Sequence, residues 1–139
     1  MIETLKEHVV PVLGRRGFKG RFPHYRRRTK RAIHLLVFQF DMWEGRFVVT
    51  IATCPPEGAS TSWGKPIAPN KVRVRDMDRS LVLGAPDEQS DGECFKYDQR
   101  QRRQSPEAYE KAALAVLPFL DGQAEAWWKR ETDAYETSA

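Results

Sequence analysis

Long apolar runs, clustered histidines and cysteines are all scarce in this chain of 139 residues, and each scarcity removes a class of function. No apolar stretch approaches the roughly 20 residues that a membrane-spanning helix needs. The opening MIETLKEHVVPVL carries acids early and lacks a basic start followed by an apolar block. It does not read as a secretory signal, and a cytoplasmic location is the expectation. Cys54 and Cys94 are the only cysteines. In a reducing compartment they are expected as free thiols, although the sequence does not decide whether they pair. His8, His24 and His34 are scattered, without a paired His or a close Cys pair, so no metal site is expected. No cofactor motif survives inspection either. GASTSWGKP at 58–66 has five residues between its glycines where a phosphate loop needs four, and a proline where that loop needs Ser or Thr. Glycines 14, 17 and 20 follow a predicted helix rather than a strand, the wrong context for a dinucleotide.

What is present describes a folded domain. Apolar content is 40% and charged content 30%, the balance of a globular chain long enough to bury its own core. The net charge of +4 is unevenly placed. Residues 1–35 hold ten Lys/Arg against two acids, and the remainder holds thirteen against seventeen. Such asymmetry signals either an anionic partner or a solvated sheet edge.

Residues 34–54 give the sharpest structural signal. HLLVFQF and FVVTIATC flank the polar break DMWEGR, a hairpin in the middle of a sheet. Strands are expected over 32–42 and 46–54. Leu36, Phe38, Phe40 and Met42 share one face of the first, and Ile33, Leu35 and Val37 share the other, so it sits centrally with both faces covered. A first strand is expected over 21–29, with Pro23 marking its start or an edge. A helix is expected over 2–16, kinked or restarted at Pro11. Residues 55–70 read as a loop anchored by Trp63 and Ile67. VRVR at 72–75 alternates as a half-exposed strand, and 93–97 as a short one. The last helix is expected to open at Ser105 as N-cap with Pro106 behind it, to bend or end at Pro118, and to break at Asp121-Gly122. A short helical segment over 124–131 should close a single domain, 1–131, with 132–139 as a frayed tail.

The strongest candidate for a working surface is YRRRTKR at 25–31, the densest positive charge in the chain. Tyr25, Arg26, Arg27, Arg28, Lys30 and Arg31 carry it, beside His24. Arg and Lys neutralise phosphates, and aromatic rings offer stacking faces to unpaired bases. Strand alternation sends Arg26 and Arg28 one way and Arg27 the other, so the run is not automatically one patch. Edge strands also carry charge simply to block sheet-to-sheet pairing, and this reading is preferred. A second basic run, RQRR at 100–103, either joins it in space or does not. His34 lies in an apolar strand and is expected as a hydrogen-bonded core residue. Cys54 beside His34 or His24 is a conceivable nucleophile and base, favoured by nothing beyond residue type. Trp43, at the hairpin tip, is expected to pack on the core rather than to anchor a partner.

The order of these features resembles a bacterial family of small α+β proteins grouped only as a domain of unknown function. Gly17-Phe18, Gln39, the strand from Phe47 to Ile51, Arg79 and Leu117-Pro118-Phe119 carry the resemblance, over about residues 5 to 130. It implies a sheet packed by terminal helices and supplies no catalytic residues. The expected fold is therefore α+β, one antiparallel sheet of four to six strands with the N-terminal helix and the C-terminal helices on one face, the other face partly open. The expected function is that of a non-enzymatic binding protein acting on a protein partner, an immunity or toxin-accessory role being one version, by analogy with small bacterial α+β proteins. The alternative is a nucleic-acid-binding module using the basic strand. An enzyme would need a deep pocket with titratable groups of perturbed pKa. The open sheet face equally suits a homodimer.

Overall fold

Pro11 decides how the chain begins. It has no N–H and is tolerated only in a first helical turn. Accordingly, α1 (Ile2–His8) stops and α2 (Val10–Arg15) restarts with the proline in its first turn. Leu5, Val9 and Leu13 still fall on one stripe and are fully buried. The computed structural model describes residues 1–41, 43–60, 63–97 and 106–137.

The expected first strand is instead a tight hairpin of β1 (Lys19–Arg21) and β2 (His24–Arg28), turning at a cis Phe22–Pro23 bond. Gly20, at φ +143°, makes the close approach possible, because a Cβ there would collide with the His24 carbonyl oxygen. β2 pairs antiparallel with β3 (Ile33–Asp41), and β3 with β4 (Arg46–Cys54), in unbroken register from Ile33 opposite Cys54 to Asp41 opposite Arg46. The Thr29 hydroxyl fixes the β2–β3 turn, donating to the Ala32 carbonyl and accepting from its N–H. Met42 lies outside the described residues.

Residues 55–77 depart from the sequence reading. A two-stranded ribbon of β5 (Ala59–Ser60) and β6 (Pro66–Ile67) interrupts the expected loop. Ile67 packs on the core as expected, but Trp63 is 89% exposed and joins neither apolar cluster of the described residues. The VRVR segment is no strand. Val74–Asp76 forms a 3₁₀ turn, with Val72 and Val74 buried and Arg73 and Arg75 turned away. β7 (Leu81–Val82), which the sequence did not announce, and β8 (Phe95–Lys96) both pair with β4. The sheet order is β1-β2-β3-β4-β7, with β8 also on β4 and every pairing antiparallel.

α3 (Pro106–Leu114) and α4 (Val116–Phe119) lead into a π turn over Leu120–Ala124 and then α5 (Glu125–Thr137). The expected cap at Ser105 and the run 100–103 lie outside the described residues. Pro118 and Asp121-Gly122 do not end the helix. The N–H that Pro118 lacks would have met the Leu114 carbonyl, which is where α3 gives way to α4, and the chain stays helical through the π turn that follows. Nor does the chain fray from residue 132. The Thr132 side chain is buried and donates to the Trp128 carbonyl, and the Tyr135 hydroxyl donates to the Thr53 carbonyl at 2.9 Å.

The two sheet faces carry two apolar clusters. Tyr25, Leu36, Phe38, Phe47, Val49 and Ile51 meet the helices through Leu5, Leu13, Val116, Leu120 and Trp128. On the other face Ile33, Leu35, Val37, Ala52 and Cys54 are closed over by Val72 and Val74. The face expected to be partly open is therefore covered over half its length. The open end is marked by Gln39, exposed and accepting from the Thr50 hydroxyl at 2.6 Å. Trp43, expected in the core, is 97% exposed.

Trp128 joins the layers. It is 1% exposed, lies 5.1 Å from the Phe18 ring and 5.4 Å from His34, and donates its indole N–H to the Ala52 carbonyl at 3.1 Å. Trp128→Ala should lower stability by about 3–5 kcal/mol in denaturant unfolding, from lost burial, a cavity and an unpaired carbonyl. Trp43→Ala, at a solvated position, should stay within about 0.5 kcal/mol of the parent.

Candidate functional site: a basic groove on the second sheet face

The pairing of β2 with β3 sorts the basic run. Tyr25 sits opposite Leu36 and Arg27 opposite His34, on the helix face, whereas Arg26 sits opposite Leu35 and Arg28 opposite Ile33, on the second face. Tyr25 is buried and packs edge-on to Phe38, so it offers no ring to a ligand. Lys30 is exposed in the β2–β3 turn, and Arg31 pairs with Asp133 of α5 at 2.6 Å. The six sequence-predicted residues thus do not form one surface.

Arg27 is structural. Its guanidinium pairs with Glu125 at 2.8 Å, lies 4.7 Å from the Phe18 ring centre and 5.2 Å from that of Trp128, and donates to Nδ1 of His34. Because Nδ1 accepts, the His34 proton sits on Nε2 and is donated to the Thr132 hydroxyl, which donates onward to the Trp128 carbonyl. Burial, and then the charge of Arg27, push His34 down to about 4. His34 is the hydrogen-bonded core residue that its apolar strand implied.

Cys54 lies on the opposite face from His34, as their adjacent positions in the β3–β4 pairing require, so the conceivable nucleophile and base are not brought together. Burial first, then Glu57 and Asp76, push the Cys54 thiol up to about 11, which keeps it protonated and unreactive. Both cysteines are free. Among the described residues no group of three or more His, Cys, Asp or Glu side chains is placed to hold a metal ion.

The second face gathers charge that the sequence scattered. In the β1–β2 hairpin Lys19 sits opposite Arg26 and Arg21 opposite His24, so all four project with Arg28 to one side. Residues 71–75 approach this ribbon from the far side. Arg26 bridges the gap, donating from Nε and Nη2 to the Val72 carbonyl at 3.2 and 2.9 Å. A cavity of about 540 Å³ opens there between Arg21, His24, Arg26, Lys71, Arg73 and Arg75, with Asp76 its one acid. A second, of about 490 Å³, adjoins it through Arg26 and Asn70 and adds Lys19 and Arg28. The Asp76 carboxylate already accepts the backbone N–H of Arg73 at 2.8 Å.

The electrostatics follow. Burial, and then Arg73 and Arg28, hold Arg26 below the ordinary arginine range. Burial, followed by Arg73, Arg75 and Arg26, holds His24 below its ordinary value, and its Nδ1 is buried with no hydrogen-bond partner. Sequence reasoning found Arg26 and Arg28. It missed Lys19, Arg21, Lys71, Arg73 and Arg75 as members of one site, although the alternation of VRVR did signal arginines on the side away from two buried valines.

His34 yields a pH prediction. Its folded pKa lies below the ordinary 6.5, so the unfolded chain takes up this proton first. Its contribution to stability is full above pH 6.5 and is lost as pH falls from there toward about 4. A proton NMR titration of the folded protein should find the His34 ring still neutral at pH 5.5; half-protonation near 6.5 would contradict the hydrogen-bond assignment.

Comparison with known proteins adds one result. No curated protein and no solved structure matches the chain. The model of a family described as a domain of unknown function, DUF4304, matches residues 9–138, nearly the whole length, and on that match this α+β protein belongs to the DUF4304 family.

Proposed function

We propose that the protein is a non-enzymatic nucleic-acid-binding module and that the basic groove is its working surface. One observation carries the reading. Seven Lys/Arg side chains from two segments far apart in sequence line two adjoining cavities that contain one acid. Charge placed only to protect a sheet edge would reside on the edge strand itself. Here Lys71, Arg73 and Arg75 come from a separate turn, and the Lys19–Arg26 pair sets like charges directly across a ladder, which costs stability. A ligand rich in phosphate relieves that repulsion and releases its own counterions on binding. The non-enzymatic part rests on the state of Cys54 and His34, the one protonated and buried, the other saturated with hydrogen bonds.

A protein partner, the first expectation from the sequence, has its own supporting observation. Trp43 and Trp63 are 97% and 89% exposed, and exposed tryptophans are frequent anchors in interfaces. The two readings separate by mutation. In fluorescence anisotropy with labelled oligonucleotides, affinity should fall steeply between about 50 and 200 mM salt. Arg26→Ala combined with Arg28→Ala should weaken binding at least tenfold, whereas Trp43→Ala with Trp63→Ala should leave it unchanged. Arg27→Ala should instead cost about 1–3 kcal/mol of stability, by stranding Glu125 and the Nδ1 of His34. Oligonucleotide binding that survives the Arg26/Arg28 double substitution would sink the groove reading. Loss of binding in the tryptophan pair would transfer the function to those side chains.

A further inference from the structure

We infer that the groove takes a single nucleic-acid strand, with successive phosphates seated in the two adjoining cavities, in preference to a duplex. The inference rests on the nucleic-acid reading above and concerns which form of the ligand fits.

Shape is the first argument. The two cavities share Arg26 and Asn70, so they form one trough with a waist. The Arg26 side chain at that waist is half-buried and tied to the Val72 carbonyl, so the deepest charge lies below the rims. Each cavity, at about 540 and 490 Å³, has the size of a small-molecule site. A duplex is a stiff convex rod whose phosphates line rails on either side of grooves about 6 and 12 Å wide, and it touches what protrudes. A single strand is slender and bends, so its phosphates reach a recessed cation.

Chemistry is the second. Arg26 lines both cavities with its guanidinium plane held by two hydrogen bonds, and fixed arginine planes stack on unpaired bases. Asn70 and His24 add neutral polar groups to a wall whose charges are cations apart from Asp76, the kind of group that hydrogen-bonds base edges rather than phosphates. Arg28 and Lys19 at one end and Arg75 and Arg21 at the other supply phosphate contacts on either side of the waist.

His24 reports occupancy. Arg73, Arg75 and Arg26 hold its pKa down, and Asp76 opposes them weakly. A phosphate seated among those arginines offsets their field, so the His24 pKa must rise when the trough is filled from inside. A strand lying across the rims leaves it nearly unchanged.

The test uses the full chain and one labelled sequence of about 12 nucleotides, presented as a single strand and as its blunt duplex, with polyglutamate as competitor. The expected result has three parts. The single strand binds at least tenfold tighter than the duplex at about 100 mM salt, with a slope of log K on log salt near −0.7 per phosphate contacted. The His24 ring pKa moves up on adding the single strand. Arg28→Glu with Arg75→Glu, both at exposed positions, abolishes the preference while the unfolding midpoint holds. Equal or tighter duplex binding would overturn the single-strand inference and leave the nucleic-acid reading standing. Absence of binding by either form, or displacement by polyglutamate at equal charge concentration, would overturn both.

Discussion

The registration of β2 against β3 is the constraint on which the rest of the structure depends. It decides which of three consecutive arginines enters the protein. With Arg27 opposite His34, one guanidinium lies against Trp128 and Phe18, reaches Glu125, and fixes the tautomer of His34. A slip of one residue would turn Tyr25 and Arg27 outward and drive Arg26 and Arg28 under the helices, where a single partner carboxylate waits for two charges. The register is held by features that agree with one another. The Thr29 turn fixes the length of the connection, Tyr25 is apolar enough to bury, and α5 presents Glu125, Trp128 and Thr132 along one helical stripe to receive what the sheet delivers.

Much of this was legible because it is local. The paired apolar runs gave β3 and β4 with their ends nearly right, and period-two alternation assigned every apolar residue of β3 to its correct face. The same alternation separated Arg27 from Arg26 and Arg28 before any contact was known. Pro11 restarted the first helix for the reason its chemistry supplies. What the sequence hid depends on distant partners. Leu81 and Val82 make too short a strand to show a period, and exist as one only because β4 has a free edge. The polar segment after Glu131 resembles a tail because two of its anchoring contacts, Thr132 to His34 and Tyr135 to Thr53, are hydrogen bonds that hydropathy does not register.

VRVR is the instructive failure. Its alternation truly reported that valines go in and arginines out. Burial every second residue does not require an extended ladder, and here a short 3₁₀ turn satisfies the pattern while two valines close the second core. The fold and the groove are therefore coupled at one point. The residues that seal the second sheet face are interleaved with those that charge it, and the Val72 carbonyl that Arg26 holds lies just ahead of the same turn.

That coupling explains why a cluster of like charges survives on a small domain. Val72 and Val74, each buried on the sheet, contribute apolar burial of about 1.5–3 kcal/mol apiece, which works against the repulsion incurred by bringing Arg73 and Arg75 toward Arg26. Asp76 lowers the cost further, yet it is committed to the Arg73 backbone and neutralises only one of seven cations. The remainder is held in place by packing instead of by counter-charge. Such a surface is preorganised toward an anion, since the side chains are already gathered and the repulsion among them is relieved when negative charge arrives. Burial first, and then that repulsion, lower the pKa values of both Arg26 and His24. On the helix face, by contrast, the Arg27 charge is answered directly by the Glu125 carboxylate and by the rings of Phe18 and Trp128.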